Sequence, residues 1–109
     1  MEWELRYFDL GSPIGHEQGW IRPCVILRVF PGSATGMILP ITKDLETANF
    51  PYTLTMKRND ENDLKEDSVV LINQIRVLSF NRITSGNPGK LKQSEMDRIK
   101  ELLRDLFRL

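Results

Sequence analysis

The residues best suited to chemistry stand in one short polar segment, residues 15–23, which reads Gly-His-Glu-Gln-Gly-Trp-Ile-Arg-Pro. Arg22 is expected at the junction between this loop and an apolar strand, because Pro23 has no N–H group and suits the first residue of a strand. A planar guanidinium there can hold a phosphate through two parallel hydrogen bonds. An ordinary surface loop with an Arg–Glu ion pair of little energetic value also fits. On this segment alone, we favour that simpler interpretation.

Three further side chains of this segment are candidates for a role in a reaction or in binding. His16 has an intrinsic pKa suited to proton transfer near neutral pH, and Glu17 can act as a base. For His16 we favour a solvated loop residue over a catalytic one, and for Glu17 a role in orienting Arg22 or the loop. Trp20 can stack on a nucleobase, although an exposed hydrophobic loop residue is a fair alternative.

The composition excludes several classes of protein. The 109 residues, 40% of them hydrophobic and 28% charged, predict one folded domain over residues 1–109 rather than a disordered chain. Lys+Arg and Asp+Glu are balanced at 15 each, so nucleic-acid binding would need a local basic groove or a dimer that sums two of them. With a single Cys, the chain forms no internal disulfide. With only one Cys and one His, a metal cluster of thiolate or imidazole ligands is not expected, and no cofactor is predicted. With no signal peptide and no long apolar run, we expect a cytoplasmic protein without membrane contact.

Hydrophobic patterning predicts a chain of short strands. The expected strands cover residues 3–10, 23–30, 35–42, 51–56 and 68–78. The last is expected to be one long strand, bent near Asn73. The face of the first strand that includes Phe8 is expected to be partly polar and outward. Residues 45–50 are expected to form a loop, residues 57–67 an exposed connection and residues 79–82 a helical turn.

One helix is predicted near the C-terminus. Ser94 is expected to open it, because Ser94 and Asp97 have the spacing that satisfies free N–H groups at a helix start. An apolar stripe at helical spacing follows, formed by Met96, Ile99, Leu102, Leu103 and Leu106. We expect this stripe to pack on the sheet rather than to bind a cofactor. The predicted fold class is therefore mainly β: a small, curved antiparallel sheet or partly open barrel closed by a helix.

An ordered set of short motifs covers nearly the whole chain and resembles the MazF/PemK toxins, the mRNA interferases of type II toxin–antitoxin systems. The motifs are Phe8-Asp9-Leu10, Gly15-His16-Glu17-Gln18, Arg22-Pro23, Leu39-Pro40-Ile41-Thr42, Phe50-Pro51, Asp67-Ser68-Val69-Val70 and Asn73-Gln74-Ile75-Arg76. The resemblance implies an SH3-like barrel of the MazF/PemK/CcdB type that acts as a homodimer. It implies metal-independent cleavage of single-stranded mRNA, usually at a short preferred sequence, which leaves a 2′,3′-cyclic phosphate and a 5′-hydroxyl. It also implies a cognate MazE-like antitoxin as partner.

The resemblance assigns roles to particular residues. Arg22 and Thr42 match the family's catalytic pair, and the loop that carries Glu17 and Gln18 is similar to its mobile loop beside the active site. Gln74 and Arg76 match a segment near the RNA groove of the dimer. From the residues alone, Thr42 is favoured as a simple strand-end hydroxyl. For Gln74 and Arg76, an exposed strand face and an RNA contact are about equally favoured.

The sequence also departs from the family pattern. Trp3-Glu4-Leu5-Arg6 stands where a basic-Gly-acidic opening is usual, and Arg28-Val29-Phe30 replaces a polar group after the second strand. These departures motivate an alternative function on the same barrel. The alternative is a catalytically inactive SH3-like binding module, or a CcdB-like poison of a protein target.

Overall fold

The computed structural model describes residues 1–15, 17–84 and 86–109. Among these residues the chain forms a curled antiparallel sheet followed by one α-helix, and the predicted mainly-β fold class is confirmed. The elements are β1 (Glu4–Asp9), β2 (Ile21–Phe30), β3 (Thr35–Thr42), β4 (Thr53–Met56), β5 (Ser68–Leu71), β6 (Arg76–Ser79), β7 (Gly89–Lys90) and α1 (Gln93–Phe107). The strand order is β4-β5-β3-β2-β1-β7, and β6 pairs with β3. No helix in the described part of the chain is long and apolar enough to cross a membrane.

Strand β3 is the centre of the sheet because it pairs with three other strands. On one side it pairs with β2, from Thr35 opposite Phe30 to Pro40 opposite Cys24. On its other side, the first half of β3 pairs with β6 and the last two residues pair with β5. A strand that changes partner along its length bends the sheet. A register shift in β2 between Ile26 and Arg28 adds to the curvature.

The prediction of one long strand over residues 68–78 is wrong. A single turn of 3-10 helix, Ile72–Gln74, separates β5 from β6. The β3–β5 pairing ends at Val70, and the Ile72 N–H group donates to the Tyr52 carbonyl oxygen at 2.9 Å, next to the pair of Leu71 with Thr53 on the β4 side. Because both flanking strands pair with β3 at different places, the turn is what allows the sheet to curl.

The two faces of the sheet carry separate apolar clusters. One cluster lies under α1 and includes the fully buried residues Leu5, Val25, Leu39, Ile41, Met56, Val70, Ile72 and Ile99. The other comprises Phe8, Leu10, Cys24, Ile26, Ile38 and Leu78. The expectation that the Phe8 face of β1 is partly polar and outward is therefore wrong at Phe8 itself. Phe80 and Ile83 pack over this cluster, and the ring centroids of Phe8 and Phe80 are 6.4 Å apart.

The helix packs as predicted but begins one residue earlier than Ser94. Its apolar stripe contacts the cluster on the sheet, with Ile99 fully buried. The expected Ser94–Asp97 cap is absent from the described hydrogen bonds. Instead the Glu95 carboxylate accepts the Lys92 N–H group at 2.8 Å, and Asp97 accepts from the Gln93 side chain at 2.9 Å. The Glu95 carboxylate thus satisfies the free N–H at the helix start.

Two connecting segments are more ordered than the sequence indicates. The expected loop over 45–50 contains a 3-10 helix, Leu45–Asn49, which the Asp44 side chain caps by accepting the Glu46 N–H group. Within 57–67, Asn62 is fully buried instead of exposed. A Cβ atom on Gly89 would overlap the Asn62 carbonyl group, so β7 packs directly against this segment.

We predict that Asn62→Ala destabilises the fold. The Asn62 Oδ1 atom accepts the N–H groups of Asn59 and Leu64 at 3.1 and 3.0 Å, and Nδ2 donates to the Lys57 carbonyl oxygen at 2.8 Å. Losing these bonds at a buried position should lower the free energy of unfolding by about 3 kcal/mol. Urea denaturation measures this change. Asn87→Ala, at an exposed position, is the matched control, and equal midpoints for the two variants would contradict the prediction.

Candidate active site

The polar segment singled out in the sequence is the end of a compact loop between β1 and β2. The Trp20 N–H group donates to the Gly11 carbonyl oxygen at 2.7 Å, and the Leu10 N–H group donates to the Trp20 carbonyl oxygen at 2.8 Å. Gly19 is buried at this closure, where an added Cβ would lie 2.7 Å from the Pro13 nitrogen and 2.8 Å from the Gly11 carbonyl oxygen. The base of the loop therefore requires glycine, and its geometry is fixed.

Arg22 lies inside β2 rather than at a loop-to-strand junction, because β2 begins at Ile21 and Arg22 pairs with Phe8 of β1. Its side chain is half-buried, and its Nε atom donates to the Gly19 carbonyl oxygen at 3.1 Å. Among the described residues, its guanidinium forms no ion pair with a carboxylate. One edge of the guanidinium is thus anchored, while the terminal nitrogens remain available to an anion.

Glu17 stabilises the loop instead of pairing with Arg22. Its carboxylate accepts the Ile14 N–H group at 3.1 Å, and the Glu17 N–H group donates to the Ile14 carbonyl oxygen at 3.2 Å. The Arg–Glu ion pair of the simpler interpretation is not found in the described part of the chain. The neighbouring His16 lies outside the described residues.

Thr42 ends β3 close to Arg22. The paired residues of β2 and β3 end at Cys24 opposite Pro40, and alternation along each strand puts Arg22 and Thr42, two residues beyond this pair, on the same face of the sheet. Thr42 is only 6% exposed, and its Oγ1 atom accepts the Asp44 N–H group at 3.2 Å. We find no acceptor for its hydroxyl hydrogen among the described residues, so that hydrogen can be donated to a ligand.

A hydrogen bond joins the β1–β2 loop to the turn between β5 and β6. The Gln74 Oε1 atom accepts the Gln18 N–H group at 3.0 Å, across 56 positions of sequence. Two residues predicted to belong to the site are thereby brought into contact. Gln18 precedes Gly19, whose carbonyl oxygen accepts the hydrogen bond from Arg22. By holding Gln18, the turn therefore helps to position the arginine side chain.

Arg76 adds a second positive charge to the same face. It begins β6 opposite Ile38, which faces the cluster that contains Cys24. Burial raises the pKa of the Cys24 thiol, and the nearby positive charge of Arg76 partly offsets that rise. Arg76 therefore lies near Cys24, and Cys24 is two residues after Arg22 in β2. A cleft of about 500 Å³ opens here, lined by Glu17, Asn73, Gln74, Ile75 and Arg76.

Trp20 is exposed at the base of the loop. Its side chain is 61% accessible, and its backbone has a φ angle of 62°, in the left-handed region. Its backbone N–H and carbonyl groups close the loop, so the indole ring is held outward on an ordered backbone. A stacking surface for a base is compatible with this placement.

A second cleft adjoins the Gln18–Gln74 contact and was not indicated by the sequence. It has a volume of about 380 Å³ and is lined by Gln18, Thr47, Phe50, Pro51, Thr53, Leu71, Asn73 and Gln74. We call it the Phe50 cleft. The only signal for it in the sequence is the Phe50-Pro51 pair, an aromatic residue next to a proline within a polar stretch, and such a pair does not by itself predict exposure.

A smaller cleft lies beside Arg22 itself. Its volume is about 190 Å³, and its lining includes Tyr7, Arg22, Pro23, Lys43 and Lys65. Burial, together with the negative charge of Asp63, raises the pKa of Tyr7, which keeps the phenol protonated at neutral pH.

Comparison with known proteins places this chain in a family. A family model described as "PemK-like, MazF-like toxin of type II toxin-antitoxin system" matches residues 1–107. The Endoribonuclease EndoA of Bacillus subtilis is 28% identical over 103 residues, covering 92% of this chain and 87% of the relative. The Endoribonuclease MazF of Staphylococcus saprophyticus is 37% identical over 78 residues, which cover 69% of this chain and 64% of the relative.

The fold is also that of a solved relative. The crystal structure of MazF from Deinococcus radiodurans superposes with a TM-score of 0.80 at 20% identity, covering 99% of this chain and 96% of the other. At this identity the match concerns the fold alone. The sequence match extends over almost the entire chain, and the chain therefore belongs to the family of PemK-like, MazF-like toxins of type II toxin–antitoxin systems.

Proposed function

We propose that this toxin is a sequence-specific, metal-independent endoribonuclease that cleaves single-stranded mRNA. The observation that carries the proposal is the Arg22 guanidinium, which is anchored through Nε to the Gly19 carbonyl oxygen and has no carboxylate partner among the described residues. It lies on the same face of the sheet as Thr42. The relatives EndoA of Bacillus subtilis and MazF of Staphylococcus saprophyticus are both named endoribonucleases, which supports the same activity.

The proposed reaction uses a nucleophile that the RNA itself carries. The ribose 2′-OH attacks the adjacent phosphorus, the bond from phosphorus to the 5′-oxygen breaks, and the products are a 2′,3′-cyclic phosphate and a 5′-hydroxyl. Negative charge develops on the non-bridging oxygens during attack. A fixed guanidinium aimed at these oxygens stabilises the transition state more than the ground state. Arg22 takes this role, and Thr42 donates a further hydrogen bond.

The fixed position of Arg22 matters as much as its charge. Its Nε–H group is already bound to Gly19, so the guanidinium meets the phosphate with its terminal N–H groups. Since the nucleophile and the phosphate belong to one substrate, holding them in line supplies much of the remaining rate enhancement. These steps require no metal ion.

In this proposal, the surface next to Arg22 binds the rest of the RNA. Arg76 provides a second cation for a phosphate, while Gln18, Gln74 and Trp20 provide amide groups and an aromatic ring for bases. The formal net charge of the chain is zero, so attraction to RNA arises from this local arrangement. A homodimer would add a second copy of the same surface.

The antitoxin acts at the same surface in this proposal. An acidic, flexible segment of a MazE-like partner would place carboxylates against Arg22 and Arg76, which have no ion-pair partner in the described part of the chain. Such a segment competes directly with RNA phosphates. Binding of the antitoxin therefore suppresses cleavage.

We predict that Arg22→Ala lowers the rate of RNA cleavage by about 100-fold or more, because it removes a positioned donor to the transition state. Purified protein is incubated with a mixed-sequence RNA in excess EDTA, and the product ends are identified by mass spectrometry. Arg28→Ala is the matched control, since Arg28 is exposed on the same strand. Cleavage by Arg22→Ala at the wild-type rate would refute the site. Intact RNA with folded wild-type protein would favour the binding-module alternative.

We predict that the reaction depends on a single ribose hydroxyl. An RNA with one 2′-deoxy nucleotide on the 5′ side of the mapped scissile phosphate should resist cleavage, since its nucleophile is missing. A deoxy nucleotide on the 3′ side of that phosphate is the control and should allow cleavage. Comparable rates for both substrates would contradict attack by the 2′-OH.

We predict that Thr42→Val lowers kcat by about 100-fold while Thr42→Ser retains most activity. Valine preserves the shape of the side chain and removes its hydroxyl donor, whereas serine keeps the donor. Single-turnover kinetics measure the effect, and circular dichroism checks that both variants fold. If the two variants lost activity equally, packing rather than the hydroxyl would explain the role of Thr42.

A further inference from the structure

We propose that the Phe50 cleft binds one unpaired nucleobase of the RNA, next to the phosphate held by Arg22. This inference rests on the proposed endoribonuclease function and assigns to that site a base-recognition pocket. The base stacks on the Phe50 ring, and the side-chain amides at the edge of the cleft hydrogen-bond to its polar edge.

The ring of Phe50 is exposed on a backbone that is firmly held. Its side chain is 68% accessible. The Phe50 N–H group donates to the Thr47 carbonyl oxygen at 3.0 Å, and the Thr53 hydroxyl donates to the Phe50 carbonyl oxygen at 2.9 Å. A large apolar ring left in solvent on an ordered backbone offers a stacking surface that loses little conformational entropy when it binds.

The lining of the cleft fits a base better than a phosphate or a charged peptide. None of its eight lining residues carries a charge. The adjoining cleft, in contrast, contains Glu17 and Arg76. A phosphate in the Phe50 cleft would lose its hydration without meeting a cation, which is unfavourable. A nucleobase is flat, uncharged and apolar on its faces, and it carries donors and acceptors along its edge.

Amide groups stand where they can bind that edge. The Gln18 and Asn73 side chains line the cleft, and we find no hydrogen bond of their amides to other described residues. An amide offers both a donor and an acceptor, which is the pairing that base edges present. Gln74 holds the main chain of Gln18 in place through its Oε1 atom. The cleft therefore has an apolar stacking face and a polar rim.

Short covalent connections tie this cleft to the reacting centre. On one side Gln18 precedes Gly19, whose carbonyl oxygen holds Arg22. On the other side the Thr42 Oγ1 atom accepts the Asp44 N–H group, and Asp44 caps the 3-10 helix that leads to Phe50. The cleft and the Arg22 anchor thus share adjacent residues of one loop, and in this proposal a base in the cleft belongs to a nucleotide next to the scissile phosphate and aligns the sugar between them.

A double-mutant cycle with a modified substrate tests the proposal. A short single-stranded RNA with one mapped cleavage site is made with an abasic ribose at each position flanking the scissile phosphate in turn. At one position the abasic ribose should lower the wild-type kcat/KM by about 10- to 100-fold, the range expected for loss of one stacked base. Phe50→Ala should lower kcat/KM for the intact RNA similarly, and it should be insensitive to the abasic ribose at that position.

Two further variants complete the design. Phe50→Tyr keeps an aromatic face and should retain most of the wild-type kcat/KM and the wild-type sensitivity to the abasic position. Phe107→Ala removes another exposed phenylalanine, 53% accessible near the end of α1, and should behave as the wild type. Because Phe50 is mainly exposed, Phe50→Ala should unfold at the wild-type temperature, which separates loss of binding from loss of the fold.

Each outcome distinguishes the base pocket from the proposed activity. If the wild type cuts RNA, and Phe50→Ala cuts equally fast with unchanged sensitivity to every abasic position, the base pocket is overturned while the endoribonuclease stands. If Phe50→Ala cuts normally but binds an acidic antitoxin more weakly, the cleft serves a protein partner and the proposal is wrong. If the folded wild type cuts no RNA, the proposed function fails and the base pocket fails with it.

Discussion

The arrangement of the site depends on how β3 shares its hydrogen-bonding edge. One edge pairs with β2, and the other pairs first with β6 and then with β5. The chain between β5 and β6 must therefore leave the ladder, and it does so in the 3-10 turn Ile72–Gln74. That turn carries Gln74 to the loop that precedes β2. The curl of the sheet and the position of the loop are thus two consequences of one pairing constraint.

The next consequence is the orientation of Arg22. A long arginine side chain has many rotamers in solution, and ordering it costs conformational entropy. In this protein the side chain is already ordered by folding, because the buried Gly19 supplies a carbonyl acceptor at a fixed place. The Gln18–Gln74 hydrogen bond holds the adjoining peptide. A guanidinium that is ordered before the substrate arrives interacts with developing charge without reorganising at the moment of reaction.

Local periodicity was sufficient to predict most of the fold, and long-range pairing explains where it failed. The strand Thr35–Thr42 and the apolar stripe of the helix follow from side-chain spacing alone, and both are confirmed. The aliphatic run that starts at Ser68 continues through Ile72, so nothing local indicates that the strand ends at Leu71. Phe8 was expected to face outward because its neighbours are charged. Its burial depends on Phe80 and Ile83, which are distant in sequence.

In the candidate site, too, some residues could be selected from the sequence, whereas the contacts between them depend on the folded chain. Arg22 and Thr42 were selected through the resemblance, and strand alternation beyond the Cys24–Pro40 pair puts them on one face of the sheet. The Gln18–Gln74 bond spans 56 positions, so no local pattern contains it. The Phe50 cleft is assembled from the β1–β2 loop, the 3-10 helix after β3 and the turn after β5, and only the folded chain brings these together. Because the turn Ile72–Gln74 both contacts the loop that anchors Arg22 and supplies one wall of the Phe50 cleft, the guanidinium and the cleft are held by one structural element.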